Sequence, residues 1–179
     1  VGRTPDAVAV VAGDDELSYA ELDERANRLA RLLIGRGAGP EQFVGLALPR
    51  SVEMVVALLA VTKTGAAYLP IDPKHPSARI EFICADANPA VVLCTGQTAG
   101  CLPADVVRLV LDDPQTVHQI AAFSGDEITD ADRVESLSPL PAVYAIYTSG
   151  STGVPKAVVI AHQSVIDLDD TDRFDLTWV

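Results

Sequence analysis

Short β-branched runs alternate along this chain with longer stretches whose apolar residues recur every three or four positions. Residues 7–12 (AVAVVA) read as a strand, and Gly13 with Asp14 and Asp15 supplies the turn after it. Ser18 and Glu21 have the spacing of a capping box. Leu22, Ala26, Leu29, Ala30 and Leu33 then recur at helical intervals until Gly35 and Gly37 stop the run. Residues 43–48 read as a second strand closed by Pro49, and Ser51 caps a helix running to about Thr64, with Gly65 as its stop. That helix is apolar nearly all round, a pattern expected only where a helix lies between a sheet and another layer.

A third cycle follows: a strand at 67–69, a turn-rich segment at 70–76, a helix at about 77–86 and a strand at 90–94. Residues 106–111 and 143–147 read as further strands. Such regular alternation predicts an α/β fold, layered, with a mostly parallel sheet and helices on both faces. The chain is expected to form one partial domain over residues 1–179. Ser, Gly, Asp and Pro accumulate at 112–141 around a weak helix at 117–123, which reads as a linker or surface excursion. There is no repeat of fixed period and no low-complexity tract.

Composition narrows the function classes. At 179 residues, with 49% hydrophobic and 21% charged residues, the chain can bury a sizeable core and is not disordered. Thirteen Lys and Arg against 25 Asp and Glu give a formal charge of -12, a field that repels phosphate backbones and anionic lipid. Neither nucleic acid nor membrane is expected as a partner. An anionic small ligand is still admissible, because local amides and one lysine act at contact distance. Cys84, Cys94 and Cys101 form no CxxC pair, which favours reduced thiols and a cytoplasmic setting. The longest apolar stretch, 55–61, falls far short of the roughly 20 residues of a membrane span, and the first residues carry no secretory pattern. A start without Met is expected of a processed form or a piece of something larger.

The strand at 143–147 runs straight into Thr148, Ser149, Gly150, Ser151, Thr152, Gly153, Val154, Pro155 and Lys156. Two glycines let successive amides converge on one anion, four hydroxyls add donors, and one Lys adds a compact positive charge. A polyphosphate suits such a loop. Its spacing is neither that of a Walker A loop, since Lys156 lies beyond the position next to Gly153, nor GxGxxG. Taken alone, the run also reads as a turn rich in glycine and serine.

The full string YTSGSTGVPKAVVIAH, residues 147–162, resembles the phosphate-binding signature of the adenylate-forming, AMP-binding superfamily. Three upstream stretches resemble the amino-acid-activating adenylation domains of nonribosomal peptide synthetases: LSYAELDERANRLA (17–30), GLALPRSVEMVVALLA (45–60) and TKTGAAYLPIDPKHPSARIEFICADANPAVVLC (62–94). The resemblance runs from the N-terminus to about Ser164. Acyl-CoA synthetases and luciferases share the phosphate loop, but AYLPIDP followed by RIEFICADANPAVVL is closer to the peptide-synthetase branch.

The resemblance implies a ligase in antibiotic-type biosynthesis, in which an amino-acid carboxylate attacks the α-phosphate of Mg2+-ATP. The acyl group then passes to the phosphopantetheine thiol of a carrier protein. Carried over by position, Thr148, Ser149, Gly150, Ser151, Thr152, Gly153 and Lys156 would surround the β- and γ-phosphates, with Lys156 the catalytic cation. Asp175, in the tail FDLTW, would hold the substrate's α-ammonium, although it follows Lys156 more closely than the family pattern has it. Ala157 also departs from the family's usual Gly after the Lys. The groups that complete such a site elsewhere in the family have no counterpart here, so the chain by itself is expected to turn over weakly or not at all. The other readings are a truncated non-catalytic binding or interaction module of the same fold, and part of an acyl-CoA synthetase.

The remaining chemistry-bearing residues read as structural. Asp167, Asp169, Asp170 and Asp172 lack the Gly and Glu of a calcium loop and form a solvated acidic face. His75, His118 and His162 are too scattered for a zinc site; His162 is expected to start a helix close to the phosphate loop without a catalytic role. Cys84 and Cys94 are expected in the core, Tyr68 and Tyr147 to pack, and Ser149 and Ser151 to be donors rather than nucleophiles.

Overall fold

The computed structural model of the chain describes residues 2–137, 140–148 and 155–169. Five strands run parallel in the order β6-β5-β3-β4-β7, and β8 closes one edge antiparallel to β7. They are β3 (Phe43–Ala47), β4 (Ala67–Pro70), β5 (Val91–Cys94), β6 (Arg108–Val110), β7 (Ala142–Thr148) and β8 (Lys156–Ala161). An antiparallel pair, β1 (Val8–Ala12) and β2 (Asp15–Ser18), stands apart from this sheet. β2 replaces part of the expected turn. Its charged Asp15 and Glu16 conceal a strand whose Leu17 is buried in the core.

Alternation along the strands separates two cores. Val44, Leu46, Val91, Leu93 and Leu109 point to one face, where they meet α1 (Tyr19–Ile34) and α2 (Val52–Thr64). Leu69, Ala47, Val92, Cys94 and Ala145 point to the other, against Ile80, Ile83 and Cys84 of α3 (Ser77–Ala87). Helices therefore cover both faces, and α2 lies between the sheet and α1, as its apolar surface requires. At Gly45 the second core approaches so closely that a Cβ would sit 2.7 Å from Val92 Cγ2.

The helix ends follow local chemistry. Ser18 and Glu21 complete the capping box, with the Glu21 carboxylate accepting from the Ser18 amide at 2.9 Å. Ser51 Oγ accepts from the Met54 amide, and Gly65 ends α2 at a φ of 85°. α4 (Pro114–Ala121) begins before the weak helix expected at 117–123, because Asp113 caps it and Pro114 takes the first helical position.

The segment after α4 is tied to α1 by its carbonyls. Arg28 donates to Phe123 O; Arg31 donates to the carbonyls of Ser124, Asp126 and Glu127; Asn27 Nδ2 donates to Gly125 O at 2.8 Å. Arg133 Nε reaches Lys63 O at 2.8 Å. Two arginines and a buried asparagine of α1 thus satisfy carbonyls of a stretch with no ladder of its own, and Arg133 ties it to α2. Among the described residues no helix is long and apolar enough to cross a membrane.

Candidate functional site

The sheet's connectivity marks one edge for ligands. From its carboxyl end β3 passes into α2 on the first face, whereas β4 passes into α3 on the opposite face. Adjacent strands whose connections leave to opposite sides open a crevice at their carboxyl ends, the place where open α/β sheets bind ligands. Here that crevice has a volume of about 710 Å3 and is bordered by Leu48, Arg50 and Met54 on one side and Ile71, Asp72 and Lys74 on the other. The sequence reading did not single it out; the only signal for it was the alternation of strands and helices, and that signal carries no strand order.

β7 lies parallel to β4, so its last residue, Thr148, comes out at the same edge. From there residues 149–155 connect it to β8, which returns antiparallel with Thr148 opposite Lys156. Thr148 Oγ1 donates to Lys156 O at 3.5 Å. Directly opposed residues of an antiparallel pair share one face of the sheet, so the two side chains leave the backbone on the same face at the rim. Both are exposed, and among the described residues Lys156 makes no ion pair. Among the described residues this leaves the Lys156 ammonium without a counter-charge at the rim, beside a Thr148 hydroxyl that is turned onto the Lys156 carbonyl. Ser149, Gly150, Ser151, Thr152 and Gly153 lie outside the described residues, as does Asp175.

Below the rim β7 is held by aromatic contacts and by α3. Tyr144 stacks on Tyr68 of β4, with ring centroids 5.4 Å apart. Tyr147 meets Phe82 of α3 edge to face at 6.2 Å and donates its hydroxyl to Asp86 Oδ2. Its own carbonyl accepts from Arg79 Nη2 at 3.3 Å. Burial and the adjoining Asp86 carboxylate both push the Tyr147 phenol above its ordinary range. Packing was the role expected of Tyr147; the hydrogen bonds at both of its ends were not visible in the sequence.

His162 corrects one expectation. It does start a helix, α5 (His162–Asp169), but at the far end of β8 from Lys156, where its amide donates to Pro141 O. Six residues of strand separate it from the rim, roughly 20 Å at the usual rise. Burial lowers its imidazole's proton affinity. Cys84 and Cys94 are buried, as expected, and burial pushes the Cys94 thiol up to about 11. Of the acidic tail residues, Asp170 and Asp172 lie outside the described residues.

Comparison with known proteins agrees with this architecture. The family model for the AMP-binding enzyme matches residues 1–176. A dimodular nonribosomal peptide synthase of Bacillus subtilis (strain 168) is 55% identical over 166 residues, covering 92% of this chain and 7% of that protein. Novobiocin biosynthesis protein H of Streptomyces niveus is 44% identical over 162 residues, covering 89% of this chain and 27% of its own length. Among solved structures, the AMPPNP-bound form of the nonribosomal peptide synthetase FmoA3 superposes with a TM-score of 0.79 at 33% identity, over 93% of this chain and 17% of that one. The chain belongs to the AMP-binding enzyme family of adenylate-forming ligases, and its match lies in the N-terminal part of the adenylation domain of nonribosomal peptide synthetases. It spans only a small part of the length of the relatives it matches.

Proposed function

We propose that this chain supplies the phosphate-binding part of a site that activates an amino acid as its aminoacyl adenylate. The observation that carries the reading is the pairing of Thr148 with Lys156, which brackets residues 149–155 at the carboxyl edge of the sheet. Thr148, Ser149, Gly150, Ser151, Thr152 and Gly153 donate to the β- and γ-phosphates of ATP. Lys156 neutralises the charge that grows on pyrophosphate as the bond from the α-phosphorus to the bridging oxygen breaks. Phosphoryl chemistry depends on such positioning and charge compensation more than on covalent help from the protein.

The amino-acid carboxylate is the nucleophile, and pyrophosphate carries away the electron pair of the broken bond. The acyl group then goes to the phosphopantetheine thiol of a carrier protein, with AMP as leaving group, in a cytoplasmic setting. Asp175 faces the substrate's ammonium in this reading. Mg2+ enters with the nucleotide as its counterion; among the described residues no group of three His, Cys, Asp or Glu side chains is disposed to hold a metal. The names of the relatives support the reading, since one is a linear gramicidin synthase subunit and another a novobiocin biosynthesis protein.

Calorimetric titration with Mg-ATP tests it. Saturable binding that disappears in Lys156→Ala, with an unchanged melting temperature, is the expected result. Equal affinity in the variant would contradict the assignment of Lys156, and no binding to the unaltered chain would contradict the nucleotide site itself.

A further inference from the structure

The hairpin of β7 and β8 is joined to the rest of the sheet by little backbone. Among the described residues, the ladder between β4 and β7 consists of the pair Tyr68 and Tyr144. Continued in register, the next residues of β7 would run alongside Pro70, which has no N–H to give, and β4 ends there. Yet β7 extends to Thr148, so its last residues leave the ladder just where the expected phosphate loop begins.

Three side chains of one helix take over where the ladder stops. On α3, Arg79, Phe82 and Asp86 follow one another at helical spacing, and all three reach Tyr147. Arg79 holds its carbonyl, Phe82 its ring and Asp86 its hydroxyl. The backbone, the ring plane and the ring's far end are fixed together, which leaves neither rotation about the strand nor sliding along it free. Among the described residues Arg79 Nε is buried without a hydrogen-bond partner, so the guanidinium is held here at a desolvation cost. Among the described residues the opposite side of the hairpin shows no such support, since Ala157, Val158 and Val159 of β8 are exposed.

We propose that Arg79, Phe82 and Asp86 are positioning residues for the phosphate loop, acting through Tyr147 at its root. This rests on the nucleotide reading above. A donor cluster serves a triphosphate only when it is held within a fraction of an ångström, so loosening the root degrades the grip on the β- and γ-phosphates first. Contacts made to the nucleoside or the α-phosphate by other elements are spared.

The test uses Tyr147→Phe, which keeps the ring against Phe82, together with Asp86→Ala and the double variant. Hydrogen exchange, which needs no ligand, should show the amides of residues 147–148 and 156–157 exchanging about tenfold faster in each variant, while those of β3 and β5 keep their rates. Affinity for Mg-ATP should fall about threefold to tenfold, with that for AMP unchanged, a split a general loss of stability does not produce. The double variant should match the singles, because one interaction is removed in all three. Unchanged exchange at the hairpin overturns the proposal. So does an equal loss of ATP and AMP affinity, or unchanged ATP affinity in variants of a chain that binds Mg-ATP. If the unaltered chain binds no Mg-ATP, the nucleotide reading fails and the loop's purpose with it, while faster exchange in the variants would still establish the grip itself.

Discussion

The inner strands and the outer hairpin obey different rules. β3 and β5 bury every side chain from Val44 onward, on both faces, so their residues are chosen for volume and fit. β8 leaves its first four residues exposed, and β7 exposes Ile146 and Thr148, so the hairpin is shaped by what it presents and by how it is anchored. Stability resides in the first region and the candidate chemistry at the rim of the second. The same type of substitution should therefore have opposite signatures in the two places.

Leu93→Ala gives the largest expected effect. The side chain is fully buried between β5 and the helices, and its loss should cost about 2–5 kcal/mol in denaturant unfolding. Gly45→Ala should follow, at about 1–3 kcal/mol, because its new methyl would meet Val92 at 2.7 Å and Ile71 at 3.1 Å inside a filled core. A near-neutral result there would mean the second core is looser than the close approach implies.

Alkaline pH should weaken the inner region next. Cys94 has its thiol raised from 9.0 to about 11 by burial, so the folded state holds the proton more tightly than the unfolded chain. Its contribution is fully present below pH 9 and is lost as pH rises through 11. A melting curve series in which Cys94→Ala flattens the decline over that window would confirm the source; an identical decline would assign it elsewhere. The smallest effect belongs to the hairpin: Val159→Thr keeps the branched shape at an exposed position and should shift stability by no more than about 0.5 kcal/mol. A loss comparable to that of Gly45→Ala would erase the distinction between the two regions.

The same division explains what could be read without coordinates. The capping box at Ser18 and Glu21, the stop at Gly65 and the all-apolar face of α2 are local signals, and each element appears where its pattern places it. β2 has no strand signal of its own because Asp14 and Asp15 after Gly13 read as a turn, and its pairing with β1 is a tertiary fact. The start of α4 was misplaced because the Asp113–Pro114 cap lies in a stretch otherwise rich in loop residues. At the site, the types of Thr148 and Lys156 and their closeness in sequence were legible, whereas their direct opposition across the ladder was not. His162 shows the converse error: it is near the loop in sequence, but an intervening strand carries it to the other end of the hairpin. The grip of α3 on Tyr147 joins residues more than sixty positions apart and had no local signal at all.

Where phosphate settles on the molecule is the most direct question. Amide chemical shifts followed during titration with magnesium pyrophosphate answer it residue by residue. Saturable shifts centred on Thr148 and Lys156, with β3 and β5 silent, are the outcome required by a phosphate grip at the mouth of the hairpin. Shifts confined to the crevice beside Arg50 and Lys74, or no saturable shifts, would contradict it.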